Sequence, residues 1–181
     1  MSNFVSLPRE LRDQIYELCL LHQGPLNPWF DFYQGEKRTS GLFRVSKSIH
    51  AEASQLSYSR NCFDFALASS ENIARFLKTI GRNVDYIRHI RVNFPQLLSL
   101  ESGGVALGDN DASILATIQG RCTDLSTITT SFNNTTPTGP DLDLLDDLKF
   151  FVEALELVDT RFRAMTSLEE INIGVFELYV D

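Results

Sequence analysis

Three cysteines in 181 residues, Cys19, Cys62 and Cys122, are too few and too widely spaced for a disulfide framework or a zinc ribbon, and they read as small hydrophobes. No stretch approaches the ~18 consecutive apolar residues of a membrane span. The opening Met1-Ser2-Asn3-Phe4-Val5-Ser6 lacks the basic start and apolar core of a signal peptide. These absences predict a soluble chain of the cytoplasm or nucleus. The overlapping sequons at Asn133 and Asn134 would matter only in a secreted protein. Cationic excess is missing too. Residues 1 to 60 carry seven Lys/Arg against six Asp/Glu, a net of +1, whereas residues 61 to 181 carry nine against eighteen, a net of -9. An acidic C-terminal part repels phosphate backbones, so no nucleic-acid partner is expected.

Recognisable catalytic and ligand-binding motifs are also lacking. Gly103-Gly104-Val105-Ala106-Leu107-Gly108 has neither the Lys-Ser/Thr of a phosphate loop nor dinucleotide spacing, and reads as a flexible loop. Cys19 and His22 lie three apart, but no second pair joins them as metal ligands or as nucleophile and base. His50 and Glu52 point to different sides of a helix. Asp141, Asp143, Asp146 and Asp147 lack the glycine and closing glutamate of a calcium loop, and fit the first turn of a helix. Arg82, Arg88, His89 and Arg91 suggest a cationic strand edge that discourages pairing, or a patch for an acidic partner. No cofactor, metal or catalytic residue is assigned. An enzyme would need a deep pocket converging on His22, His50 or the Asp141 to Asp147 cluster.

What is present is periodicity. Pro8 suits a first helical turn, Glu10 follows, and Leu7, Leu11, Ile15, Leu18 and Cys19 recur at spacings of three and four, predicting a helix over about 8 to 22. Gly24, Pro25 and Pro28 end it. A second helix is predicted from about 42 to 58, with Leu42, Val45, Ile49, Ala53 and Leu56 on one face. The period then becomes two: Phe63, Phe65 and Leu67 alternate with Cys62, Asp64 and Ala66. A helix capped by Ser69 or Ser70 and closed by Gly81 completes a strand-helix unit. The unit recurs as a strand near 87 to 94 with a helix around Ile114 to Ile118. It recurs again as a strand through Ile128 with a helix from Leu145 to Phe162. A last strand covers Ile171 to Leu178.

Alternating strands and helices imply an α/β fold with a small parallel sheet. Thr123-Asp124-Leu125-Ser126-Thr127-Ile128 and Thr166-Ser167-Leu168-Glu169-Glu170-Ile171 resemble one another, a faint signal of an irregular, leucine-rich-repeat-like array. The organisation expected is a helical region over 1 to 60 and a βα region over 61 to 181, sharing one core.

Two blocks in the helical region carry a resemblance. Ser6-Leu7-Pro8-Arg9-Glu10-Leu11-Arg12-Asp13-Gln14-Ile15-Tyr16-Glu17 is similar to the start of fungal F-box-like domains. So is Leu42-Phe43-Arg44-Val45-Ser46-Lys47-Ser48-Ile49-His50-Ala51-Glu52-Ala53, followed by Tyr58-Ser59-Arg60-Asn61-Cys62-Phe63. The resemblance covers about residues 4 to 67. It implies a substrate adaptor of a cullin-RING ubiquitin ligase, docking a Skp-type linker through Leu7, Pro8, Leu11 and Ile15 and holding an unknown protein target on the βα region. The chain departs from the family in its long 23 to 41 insertion, in lacking a tryptophan at the close of the second helix, and in its short C-terminal region. The residues leave two alternatives open. Leu7, Leu11 and Ile15 either meet an outside partner or pack on Val45, Ile49 and Phe63, the latter suiting a stand-alone scaffold or regulatory protein.

Overall fold

The computed structural model describes residues 4 to 29, 41 to 99, 104 to 132 and 144 to 175. The Asn133 and Asn134 sequons, Asp141, Asp143, most of the 23 to 41 insertion and the last part of the terminal strand lie outside them. Two helices open the chain, α1 (Arg9–Leu20) and α2 (Lys47–Arg60). The α/β part runs β1 (Cys62–Asp64), α3 (Ser70–Ile80), β2 (His89–Asn93), β3 (Leu97–Ser99), β4 (Val105–Leu107), α4 (Asp109–Arg121), β5 (Thr127–Phe132), α5 (Leu144–Arg163) and β6 (Glu170–Val175). Local chemistry sets several of these ends. Ser46 Oγ accepts the Ile49 N–H at 3.3 Å and Ser69 Oγ accepts the Asn72 N–H at 3.3 Å, each satisfying a donor the first helical turn leaves over. Gly81 ends α3 at φ +59°, a conformation that a side chain would disfavour.

The four long-range strands form one parallel sheet in the order β1-β2-β5-β6. Ile90 stands opposite Ile128, and Ile128 opposite Ile171, so the centres of the three repeating strands are register partners. The two similar phrases occupy equivalent places. The Arg88 carbonyl accepts the N–H groups of Ser126 and Thr127, and the Ser126 carbonyl accepts those of Glu169 and Glu170. Leu125 is buried there, and Leu168 packs on the same core.

Every crossover advances the sheet by one strand in the same direction. Under the common hand of parallel crossovers, α3, α4 and α5 therefore lie on one face. Burial agrees. Phe63, Ile90, Val92, Ile128 and Thr130 are buried, whereas the alternate residues Asp64, His89, Arg91, Asn93, Thr127 and Thr129 are half-buried and polar. Parallel sheets are ordinarily covered on both sides, and this one keeps a polar face outward.

The structure differs from the sequence expectations in four places. The presumed flexible loop around Gly103 to Gly108 contributes β4 to an antiparallel pair, with Leu97 opposite Leu107. Leu67 is 79% exposed, because β1 stops at Asp64 and the chain turns at Ala66 and Leu67 before the alternation can continue. Val45 is 62% exposed, since Leu42–Arg44 form a 3-10 turn and the α-helical period starts only at Lys47. The basic cluster is no sheet edge: β2 lies between β1 and β5. There Arg91 pairs with Asp64 at 2.8 Å, Arg88 pairs with Asp124 at 3.1 Å, and His89 Nε2 meets Thr129 Oγ1 at 2.7 Å.

Buried side chains fall into two clusters. Tyr16, Leu20, Ile49, Ala53 and Leu56 join α1 to α2. The larger cluster fills the space between the sheet and its helices. Leu26 ties the first region to the second by bridging Phe63, its N–H donating to the Cys62 carbonyl at 2.7 Å and its carbonyl accepting from Asp64 N at 2.8 Å.

Candidate partner-docking face

α1 has two apolar sides. On the inner side, Tyr16 and Leu20 are buried against α2, and Phe4 meets the Tyr16 ring edge-on at 5.7 Å. Polar groups of the two motif blocks lock this pairing. The Arg12 guanidinium forks onto Glu52, Nε to Oε2 at 2.9 Å and Nη2 to Oε1 at 2.7 Å, while its Nη1 donates to the Leu7 carbonyl. Tyr16 donates its hydroxyl to Glu52 Oε2 at 3.1 Å. Asn61 closes the far end. Its Oδ1 accepts the His22 N–H at 2.9 Å, and its Nδ2 donates to the carbonyls of Leu20 at 3.0 Å and Ser57 at 2.9 Å. His50 Nδ1 lies 2.8 Å from the Phe43 carbonyl, holding the 3-10 turn to α2.

The electrostatics follow from this geometry. Arg12 donation holds the Glu52 carboxyl below its ordinary range against an opposing effect of burial, and the Tyr16 hydrogen bond adds to it. Burial pushes the Tyr16 phenol up, with Glu52 adding to the shift. A depressed carboxyl contributes stability above the ordinary carboxylate range and loses it as pH falls through the depressed value. The raised phenol contributes below its ordinary value of 10.0 and loses it as pH rises beyond. The melting temperature is therefore expected to fall on acidification below about pH 4.5. A Glu52→Gln variant should start lower and show a shallower acid limb in differential scanning calorimetry. Parallel acid limbs would remove Glu52 from the account.

On the outer side, Leu11 is 45% and Leu18 87% exposed, Pro8 is exposed, and Leu7 and Ile15 are half-buried. At 100° per residue, the helical residues Leu11, Ile15 and Leu18 fall within an arc of roughly 60°. Spacings of four and three are those of a helix that lays an apolar stripe into a partner's groove. Exposed Val5 and Val45 add apolar surface on the adjoining segments. Of the four residues singled out from the sequence, Leu11 and Ile15 share one side of α1 with Leu18, whereas Leu7 and Pro8 precede its first turn. Leu18 was visible as the next member of the same periodicity, but the motif stops before it.

Among the described residues, the groups considered for chemistry form no metal-holding cluster. Burial pushes the Cys62 and Cys122 thiols up to about 12, Asp64 adding to the effect at Cys62, so neither is a ready nucleophile. Burial also lowers the imidazole of His89, with Glu170 opposing it. No helix among the described residues is long and apolar enough to cross a membrane. A cleft of about 80 Å³ at the carboxyl ends of β1 and β2, lined by Phe65, Val92, Asn93 and Ile114, is well below the ~300 Å³ where small-molecule sites begin. It contains neither His22 nor His50, and a second depression of about 420 Å³, lined by Phe43, Arg44, Ser46, Lys47 and His50, brings His50 together with no carboxylate or cysteine.

The fold and this face define a small α/β protein whose first helix offers an apolar stripe outward. Compared with known proteins, the chain matches no family model, no curated protein and no solved structure.

Proposed function

We propose that the chain is a non-catalytic protein-protein interaction module, an F-box-like substrate adaptor of a cullin-RING ubiquitin ligase. Its α1 docks a Skp-type linker through Leu7, Pro8, Leu11 and Ile15, and its βα region carries an unidentified protein target. The observation that supports this reading is that α1 retains an exposed apolar stripe after its other side has been used against α2. Arg12, Tyr16, Glu52 and Asn61, which the two resembling blocks contain, are all committed to holding the helix pair. The same blocks thereby supply both a rigid support and the surface it presents. A stand-alone scaffold would bury Leu11 and Ile15, and Leu11 at 45% exposure fits that alternative poorly.

The test is to mix the purified chain with a Skp-type linker and follow them by size-exclusion chromatography with light scattering. A one-to-one complex is expected at micromolar concentration. Separate elution at about 50 μM of each, well above a micromolar dissociation constant, would sink the adaptor reading.

A further inference from the structure

The opposite end of the molecule presents a second unpartnered surface. β6 ends the strand order, so among the described residues no strand pairs with its outer row of N–H and C=O groups. Such edges are ordinarily defended by lysine, proline, a bulge or an inward charge. After Glu170, the strand Ile171 to Val175 has no charged residue and no proline. Ile171 is 38% and Ile173 54% exposed, although their register partners Ile128 and Thr130 are fully buried. The buried layer of the sheet thus runs out into solvent at its last strand.

α5 repeats the pattern. Ala154, Val158 and Phe162 are buried, while Val152 and Leu155 are 54% and 52% exposed. At 100° per residue, Leu155 lies on the opposite flank from half-buried Leu157. In stacked strand-helix units these are the positions that a further neighbour covers.

Charge indicates which neighbour. Residues 140 to 181 hold eleven of the 24 acidic and three of the 16 basic side chains, a net of -8 that equals the net charge of the whole chain. Residues 1 to 139 balance at thirteen of each. The apolar edge lies in this acidic stretch of the sequence, and among the described residues Glu169 and Glu170 are exposed at its start and Glu156 is exposed on the preceding helix α5. A second copy approaching edge to edge would bring two such stretches together, which like charge opposes. A strand with basic flanks is attracted by the same field.

We propose that β6 is a docking edge for an extended, basic-flanked segment of another protein. The segment adds as a fifth strand of the sheet, lays β-branched side chains over Ile171 and Ile173, and sets lysines or arginines against exposed Glu169 and Glu170. This site is independent of docking at α1, and neither outcome there changes the expectation here.

A seven-residue peptide of alternating valine and threonine, flanked by two lysines at each end and carrying a fluorophore, provides the probe. Titrated into the full chain and read by fluorescence anisotropy, it is expected to saturate. Glutamate flanks should weaken it at least about tenfold, because attraction becomes repulsion. Methylating alternate backbone nitrogens should do the same by removing the ladder donors. Raising salt should weaken the lysine form and strengthen the glutamate form. An Ile173→Lys chain should lose binding with an unchanged melting temperature, since the site is exposed. No saturation by ~1 mM, or equal binding of the glutamate or methylated peptide, overturns the proposal. So does a doubled mass in light scattering that Ile173→Lys abolishes, because a second copy would then hold the edge. If that variant unfolds, the peptide comparisons on the native chain still decide.

Discussion

A Leu11→Asp, Leu18→Asp double variant is expected to bind a Skp-type linker at least about 100-fold more weakly than the native chain, with little change in folding. Apolar anchors at the centre of an interface contribute about 2 kcal/mol or more each, and a carboxylate at such a position also has to be desolvated. Two such losses correspond to three orders of magnitude if both residues anchor, and to about two if one lies at the rim. Stability should change little because both side chains already face water, at 45% and 87% exposure. Substitutions at exposed positions usually stay within about 0.5 kcal/mol. Isothermal titration calorimetry and thermal melts on the same preparations separate the two effects. Undiminished affinity would remove α1 from the docking surface. A melt lowered by ten degrees or more would mean that the stripe is part of the chain's own core.

Asn61→Ala is expected to cost about 3 kcal/mol, lowering the melting temperature by roughly 6–12 °C. Asn61 is 2% exposed and makes three hydrogen bonds with its amide. It stands where α1 ends, α2 ends and β1 begins. Truncation strands the His22 N–H and leaves the Leu20 and Ser57 carbonyls without its two donors. Asn61→Asp should be no better than alanine, because it keeps the acceptor but directs a carboxylate at two carbonyl oxygens. Asn61→Leu should fail as well, although it fills the space. A leucine variant that melts like the native chain would show that volume, rather than hydrogen bonding, holds the junction.

Much of the fold was legible because periodicity reports on burial. The shift from three-and-four spacing to alternation after Arg60 marks the passage from α2 to β1. The faint repeat of Leu125-Ser126-Thr127-Ile128 in Leu168-Glu169-Glu170-Ile171 anticipated a register in which Ile128 stands opposite Ile171. The short β3-β4 pair stayed hidden, β4 inside a glycine-rich run, since three-residue strands are too short to show an alternation. Val45 and Leu67 were assigned inward by extending a period past the point where the backbone changes conformation, and both lie outside. Arg88, His89 and Arg91 looked like an edge device because strand order is not written in any one strand. Asp64, Asp124 and Thr129, their partners, come from other parts of the chain.

From the residues alone came the mixed strand-helix order, the amphipathic opening helix and the two blocks that mark it. Which side of that helix is spoken for depends on the tertiary structure. The apolar residues of α1 form a wide band, and spacing states only that such a band must be covered. Arg12, Tyr16 and Asn61 fasten one side to Glu52, Leu20 and Ser57, groups up to 41 residues apart in sequence. That leaves Leu11 and Leu18 outward. A helix has one periodicity but several neighbours, and only folding assigns each side to one of them.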